Sequence, residues 1–157
     1  IKSPPNYHWL FIGQEKGDVR LPALPNVERL GHVAYEDLPR VLQRVRVGIL
    51  PFRFDPVTRA TDPIKVYEYL AAGKHVVASR LPHLAAKDWP IRLARTVDEW
   101  LTQLDAAVNQ DPCHTEGRRW VEAHTWHHRF TAFAAAVQTL AGRKDSFSGW
   151  SSTPRRY

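Results

Sequence analysis

Lys65 and Glu68 lie three residues apart in the run Asp62-Pro63-Ile64-Lys65-Val66-Tyr67-Glu68-Tyr69-Leu70-Ala71-Ala72-Gly73, which has the marks of a helix. Asp62 has the residue type of an N-cap, Pro63 that of a first helical position, and Gly73 that of a stop. In that frame Lys65 falls in the first turn, where a cation opposes the helix macrodipole. Glu68 falls one turn later, and Lys before Glu is the poorer order for a helical ion pair. Helix stability therefore accounts for neither residue. A phosphate over the helix start, met by free backbone N–H groups, accounts for Lys65. A pair of ribose hydroxyls accounts for Glu68, because an ionised carboxylate only accepts hydrogen bonds and has two oxygens to do so. The competing explanation is an exposed ion pair that contributes little.

These residues need a scaffold to hold them. The chain alternates short apolar runs with amphipathic stretches, the pattern of β/α units around a parallel sheet in three layers. His8-Trp9-Leu10-Phe11-Ile12 is predicted as a first strand stopped by Gly13, and residues 26–31 as a second. Leu38, Val41, Leu42 and Val45 share one helical face, with Glu36 and Asp37 placed at its start. Val47-Gly48-Ile49-Leu50 is a third strand ended by Pro51, and the loop from Phe52 to Thr61 carries Arg53, Asp55 and Arg59. The Lys65 helix follows directly. Its start thus falls at the C-terminal ends of the strands, where open α/β sheets bind their ligands.

Residues 75–79 and 91–94 are predicted as fourth and fifth strands. Thr96-Val97-Asp98-Glu99 is a capping box opening a helix with Val97, Leu101, Leu104 and Val108 on one face. Asp111-Pro112 breaks the chain before a short helix around Trp120 and a longer one from Thr125. In the last helix Trp126, Phe130, Phe133, Val137 and Leu140 form a stripe expected to serve as core. One domain is expected over residues 1–141, with a flexible basic tail over 142–157.

The chain has 157 residues, enough for one core without disulfides. Its one cysteine, Cys113, cannot form an intramolecular disulfide and fits a reducing, cytoplasmic setting. No run of about 18 apolar residues and no signal peptide is readable. The chain begins at Ile1 rather than Met, the expectation being a fragment or a processed form. The net charge of +6 suits a polyanionic partner: a phosphate-bearing ligand, nucleic acid or an anionic membrane surface. The basic residues are scattered, and no nucleic-acid motif, G-x-G-x-x-G or Walker A run occurs, so nucleic acid is not the expected partner. His124 and His128 stand four apart without an H-E-x-x-H or a cysteine pair, so no metal is expected.

Tyr67-Glu68-Tyr69-Leu70-Ala71-Ala72-Gly73-Lys74-His75-Val76-Val77 resembles the E-A-M-A-x-G-x-P-V segment of GT-B glycosyltransferases of the "glycosyl transferases group 1" type. Trp9 to Gly13, Leu24 to Val27, Leu30 to Val33 and Gly48 to Phe52 follow that family's order and spacing, and the likeness runs over about residues 8 to 141. The resemblance implies a Rossmann-like, C-terminal half of a GT-B fold that binds a nucleotide diphosphate sugar, with no metal needed for the chemistry. It implies that Glu68 holds the donor ribose, and that the Gly31-His32-Val33 turn meets the nucleobase. It implies that Lys65, with Thr61 and the helix N-terminus, lies at the diphosphate. Lys65 and Arg53 are then the cations for the leaving diphosphate.

The sequence also departs from the family. The second glutamate often found eight residues before the first is Ala60 here, with Asp62 as a substitute for the sugar contacts. The strand and helix that normally open such a half precede the first strand found here, so the sheet is expected to lack a member and to expose an edge. Two functions from different classes remain. One is the donor-binding half of a glycosyltransferase, inactive without the N-terminal half that carries acceptor and catalytic groups. The other is a non-catalytic anion- or nucleic-acid-binding module, with peripheral membrane contact open to either.

Overall fold

The computed structural model describes residues 7–15, 20–111 and 115–141. The chain divides into two compact units, Ile1–Glu122 and Ala123–Tyr157. The first unit holds strands β1 (Trp9–Phe11), β2 (Val27–Arg29), β3 (Val47–Leu50), β4 (His75–Ser79) and β5 (Arg92–Ala94). Its helices are α1 (Leu38–Leu42, preceded by a 3-10 turn at Tyr35–Asp37), α2 (Pro56–Arg59), α3 (Ile64–Ala71), α4 (Pro82–Ala85), α5 (Val97–Asn109) and α6 (Glu116–Glu122). The second unit holds α7 (Trp126–Ala141). Cys113 and the predicted tail 142–157 lie outside the described residues.

All strand pairs are parallel, as the alternation of strands and helices requires. β4 is buried over its whole length, which explains why its sequence reads as a continuous apolar run between His75 and Ser79. Its side chains alternate between two cores. Val76 and Ala78 join Leu50, Val66, Leu70, Leu81, Leu84 and Trp89 on one face, under α3, α4 and α6. Val77 joins Leu104 and Ala107 of α5 on the other, with Trp9, Val47, Ile49 and Trp100 packed against them. That is the three-layer arrangement, and burying a side chain such as Leu70 contributes about 1.5–3 kcal/mol. Two glycines let the layers close. A Cβ on Gly48 of β3 would fall inside the ring of Tyr69 from α3. A Cβ on Gly117 of α6 would sit 3.2 Å from the Leu70 carbonyl oxygen.

The expected single sheet is divided. β1 pairs with β2, and β3, β4 and β5 form a separate three-stranded set. Between β1 and β3 runs a groove of about 380 Å³ lined by Trp9, Leu10, Val47, Ile49, Leu104 and Val108, among others. The order β2-β1 on one side and β3-β4-β5 on the other corresponds to members 3-2 and 4-5-6 of a doubly wound sheet of order 3-2-1-4-5-6. The position left over is the central one. Among the described residues β1 pairs only with β2 and β3 only with β4, so each leaves an unpaired edge, as expected of a sheet that lacks a member.

Local details differ too. The loop 52–61 contains the short helix α2, closed by a capping box in which Asp55 accepts from the Thr58 N–H and the Thr58 hydroxyl accepts from the Asp55 N–H. Asp62 is not the N-cap of α3. Pro63 is, in an extended conformation and with no side-chain cap. The Asp62 carboxylate is drawn away by Lys87, 3.2 Å distant, and by the Tyr67 hydroxyl at 3.3 Å. Gly73 ends the helix with a positive φ of 70°, as its type predicts. Thr96 caps α5, but Glu99 returns to the Arg95 N–H rather than to that of Thr96. Val97 is 75% exposed, since it stands in the first turn beyond the sheet, while Trp100 takes its place against the core. The stripe on α7 is exposed rather than buried, Trp126 by 77% and Leu140 by 88%.

Candidate functional site

Three segments build the site: the turn before α1, the loop after β3 with α2, and α3. Because β3 runs parallel to β4 and leads through that loop into α3, the start of α3 lies at the C-terminal side of the sheet. Val66 and Leu70 anchor α3 with no solvent exposure, which turns Lys65 and Glu68 away from the core. Glu68 is the more enclosed, with 16% of its side chain exposed against 51% for Lys65. It lines a pocket of about 410 Å³ together with Tyr35, Leu38, Leu42, Ala72 and Arg118. The pocket lies between residues of α1 and the C-terminal half of α3, with Glu68, Lys74 and Arg118 as its charged residues.

Lys65 Nζ lies 2.7 Å from Glu68 Oε2. That oxygen is shielded from solvent, yet it has no hydrogen-bond partner among the described residues. The two facts are compatible: the distance is that of an ion pair, while the approach is not along a hydrogen-bonding direction. The pair is a charge contact, with Glu68 Oε2 closed off from solvent. Beside the pair, burial raises the Tyr69 phenol above its ordinary value, partly offset by the Lys65 charge, so Tyr69 stays neutral near pH 7.

The remaining sequence-predicted residues fall into place unevenly. Thr61 donates from Oγ1 to the Val57 carbonyl at 2.8 Å and so tethers α2 to the start of α3. Asp62 is occupied by Lys87 and Tyr67 as described above, so its carboxylate is held away from the helix axis. Arg53 is exposed in the loop after β3, where its charge helps hold the Asp55 carboxyl below the usual range; the larger cause is the backbone N–H of Thr58. That loop is further fixed by Ser79, whose hydroxyl donates to the Phe52 carbonyl at 2.8 Å. Thr61, Asp62 and Lys65 therefore gather at the start of α3, whose N–H groups no side chain caps.

His32 and Val33 follow Gly31, which turns the chain with φ 64°; His32 is exposed and Val33 half-buried. Neither lines the pocket with Glu68. Tyr35, two residues on, does. Tyr35 and Arg118 are the residues that sequence reasoning missed. Tyr35 had a signal of sorts, an aromatic residue just ahead of a helix start. Arg118 had none, since it arrives from α6 and is positioned by donating from Nε to the Ala71 carbonyl at 3.2 Å. His75, where the resembling family has proline, is 7% exposed and donates from Nε2 to the Asp111 carbonyl at 2.8 Å, so its role is to anchor the strand start.

Among the described residues, no group of three or more His, Cys, Asp or Glu side chains is placed to hold a metal ion. Among them also, no helix is long and apolar enough to cross a membrane.

A protein of Bacillus subtilis (strain 168), named as teichuronic acid biosynthesis glycosyltransferase TuaH, is 34% identical over 91 residues, which is 55% of this chain and 23% of that protein. The chain thus spans about a quarter of the length of the curated relative it matches. No solved structure matches it. Residues 1–110 match the family described as "Glycosyl transferases group 1". With the match covering more than half of its length, the chain belongs to the glycosyl transferases group 1 family.

Proposed function

We propose that this chain is the donor-binding part of a glycosyltransferase that moves a sugar from a nucleotide diphosphate to a glycan or lipid-linked acceptor. The observation that carries the reading is Glu68: a largely enclosed carboxylate in the wall of a pocket along the C-terminal half of α3, on a helix whose start no side chain caps. In this reading the nucleoside lies between α1 and α3, its base against Tyr35 and Leu38 and its ribose hydroxyls on Glu68. The diphosphate lies over the start of α3, met by backbone N–H groups, Lys65 and Arg53. These positive groups offset the charge that develops on the leaving diphosphate, which is the main electrostatic demand of the transfer.

The groups that act on the acceptor belong to a further domain, because transfer needs donor and acceptor in near-attack contact and this unit offers only the donor side. The gap between β1 and β3 would be filled by a strand of this donor-binding half itself, from the unit that normally opens it. A cytoplasmic setting suits a chain with one cysteine.

The test is calorimetric titration of the chain and of Glu68→Ala with ADP, UDP and GDP. The variant is expected to fold normally and to bind the preferred nucleotide more weakly by about 1–3 kcal/mol, the range for a hydrogen bond to a charged group. Equal affinities would remove Glu68 from the site. Incubated with nucleotide sugars and acceptors, the chain alone is expected to release no acceptor-dependent nucleoside diphosphate. Release abolished by Glu68→Ala would make it a self-sufficient enzyme.

A further inference from the structure

We propose that Lys65 is a specificity-determining residue: by closing on Glu68 when no phosphate is present, it makes the site favour nucleoside diphosphates over bare nucleosides. The inference rests on the donor-binding reading above and goes beyond it, since it assigns the two ends of the donor to one movable ammonium.

The geometry sets up a competition. In the free protein Lys65 Nζ lies 2.7 Å from Glu68 Oε2, on the carboxylate that the ribose hydroxyls need. The contact leaves Oε2 without an aligned hydrogen bond, so the pair is held by charge and not locked by direction. Lys65 is half exposed, whereas Glu68 is largely enclosed and lines the pocket wall.

The alternative position for the ammonium lies in the opposite direction along the helix. Side chains on an α-helix lean toward its N-terminus. Lys65, the second residue of α3, reaches the helix start by following that lean and reaches Glu68 by bending against it. At the helix start no side chain caps the backbone N–H groups, so a phosphate there meets those groups and the ammonium together.

The two ligands then face different demands. A nucleoside must take Glu68 from Lys65 and leaves the ammonium without a counter-charge. A nucleoside diphosphate takes Glu68 in the same way and gives the ammonium a stronger partner in exchange. Lys65 therefore opposes the first ligand and assists the second. Losing a half-exposed pair of this kind corresponds to about a 1.4- to 5-fold effect on binding. Gaining a charge-assisted bond to phosphate corresponds to about tenfold or more.

The experiment is calorimetric titration of the chain, Lys65→Gln and Glu68→Gln with ADP, UDP and GDP and with adenosine, uridine and guanosine, with circular dichroism as the folding control. Lys65→Gln is expected to bind the preferred nucleoside about 1.4- to 5-fold more tightly and its diphosphate about tenfold more weakly. Glu68→Gln is expected to weaken both. If Lys65→Gln shifts nucleoside and diphosphate by the same factor, or weakens the nucleoside, the competition does not exist and the inference falls while the donor site stands. If none of the three diphosphates binds the parent chain, the donor-binding reading falls and takes this inference with it.

Discussion

Replacing Gly48 by alanine adds one methyl group where the ring of Tyr69 already lies, with Cγ, Cδ2 and Cε2 all in the way. Two effects of opposite sign meet at this position. Alanine in a strand interior is better than glycine by about 0.5–1 kcal/mol, because glycine loses more backbone freedom on folding. Against this, a methyl in a filled space forces a shift of ring or backbone costing about 1–3 kcal/mol. Here the ring cannot turn away cheaply, since Tyr69 is packed against the core between Glu68 and the buried Leu70. Overlap should therefore win by about 0.5–2 kcal/mol, the difference between the matching ends of those two ranges.

At this chain length each kcal/mol lowers the melting temperature by about 2–4 °C, so the variant should melt roughly 1–8 °C below the parent. Thermal unfolding followed by far-UV circular dichroism reads that shift. A double-mutant cycle with Tyr69→Ala isolates the cause, because two groups in contact do not act additively. Without the ring, Gly48→Ala should be neutral or mildly stabilising. If Gly48→Ala is equally destabilising in both backgrounds, the close approach of α3 to β3 is not what requires glycine there.

Two further outcomes follow from local geometry. Thr96→Ala removes the hydroxyl that accepts from the Glu99 N–H at 3.2 Å and should cost about 1 kcal/mol in urea unfolding; no loss would mean the cap is not formed. Glu28 and Asp55 are both held below the ordinary carboxyl range, Glu28 chiefly by hydrogen bonding from Arg44 and Asp55 chiefly by the Thr58 N–H. A folded-state pKa below the unfolded one gives stability that is whole above the unfolded value and is lost as pH falls through the folded one. Glu28→Gln should therefore lower the urea midpoint at pH 7, and the difference should shrink as pH falls below the ordinary carboxyl range toward the lowered folded-state value. A difference that persists at low pH would contradict the assignment.

The sequence by itself determined the kind of element at most positions and the chemistry of α3. Alternation of apolar runs and amphipathic stretches is a local signal, written in residues two to four apart, so β3, β4, α3 and α5 were legible with their stops at Pro51 and Gly73. So was the anomaly of Lys65 and Glu68, because helix electrostatics depends only on position along the chain. What needed the tertiary structure were facts that depend on residues distant in sequence. Asp62 reads as an N-cap until Lys87, twenty-five residues on, takes its carboxylate. The Gly31-His32-Val33 turn is marked in the sequence, whereas that Tyr35 lines the pocket with Glu68 follows only from the fold. Arg118 joins from α6 with no local mark at all. The division of the sheet is of the same kind: hydrogen bonds between parallel strands join segments separated by whole helices, so the chain specifies each strand while only the fold decides which strands meet.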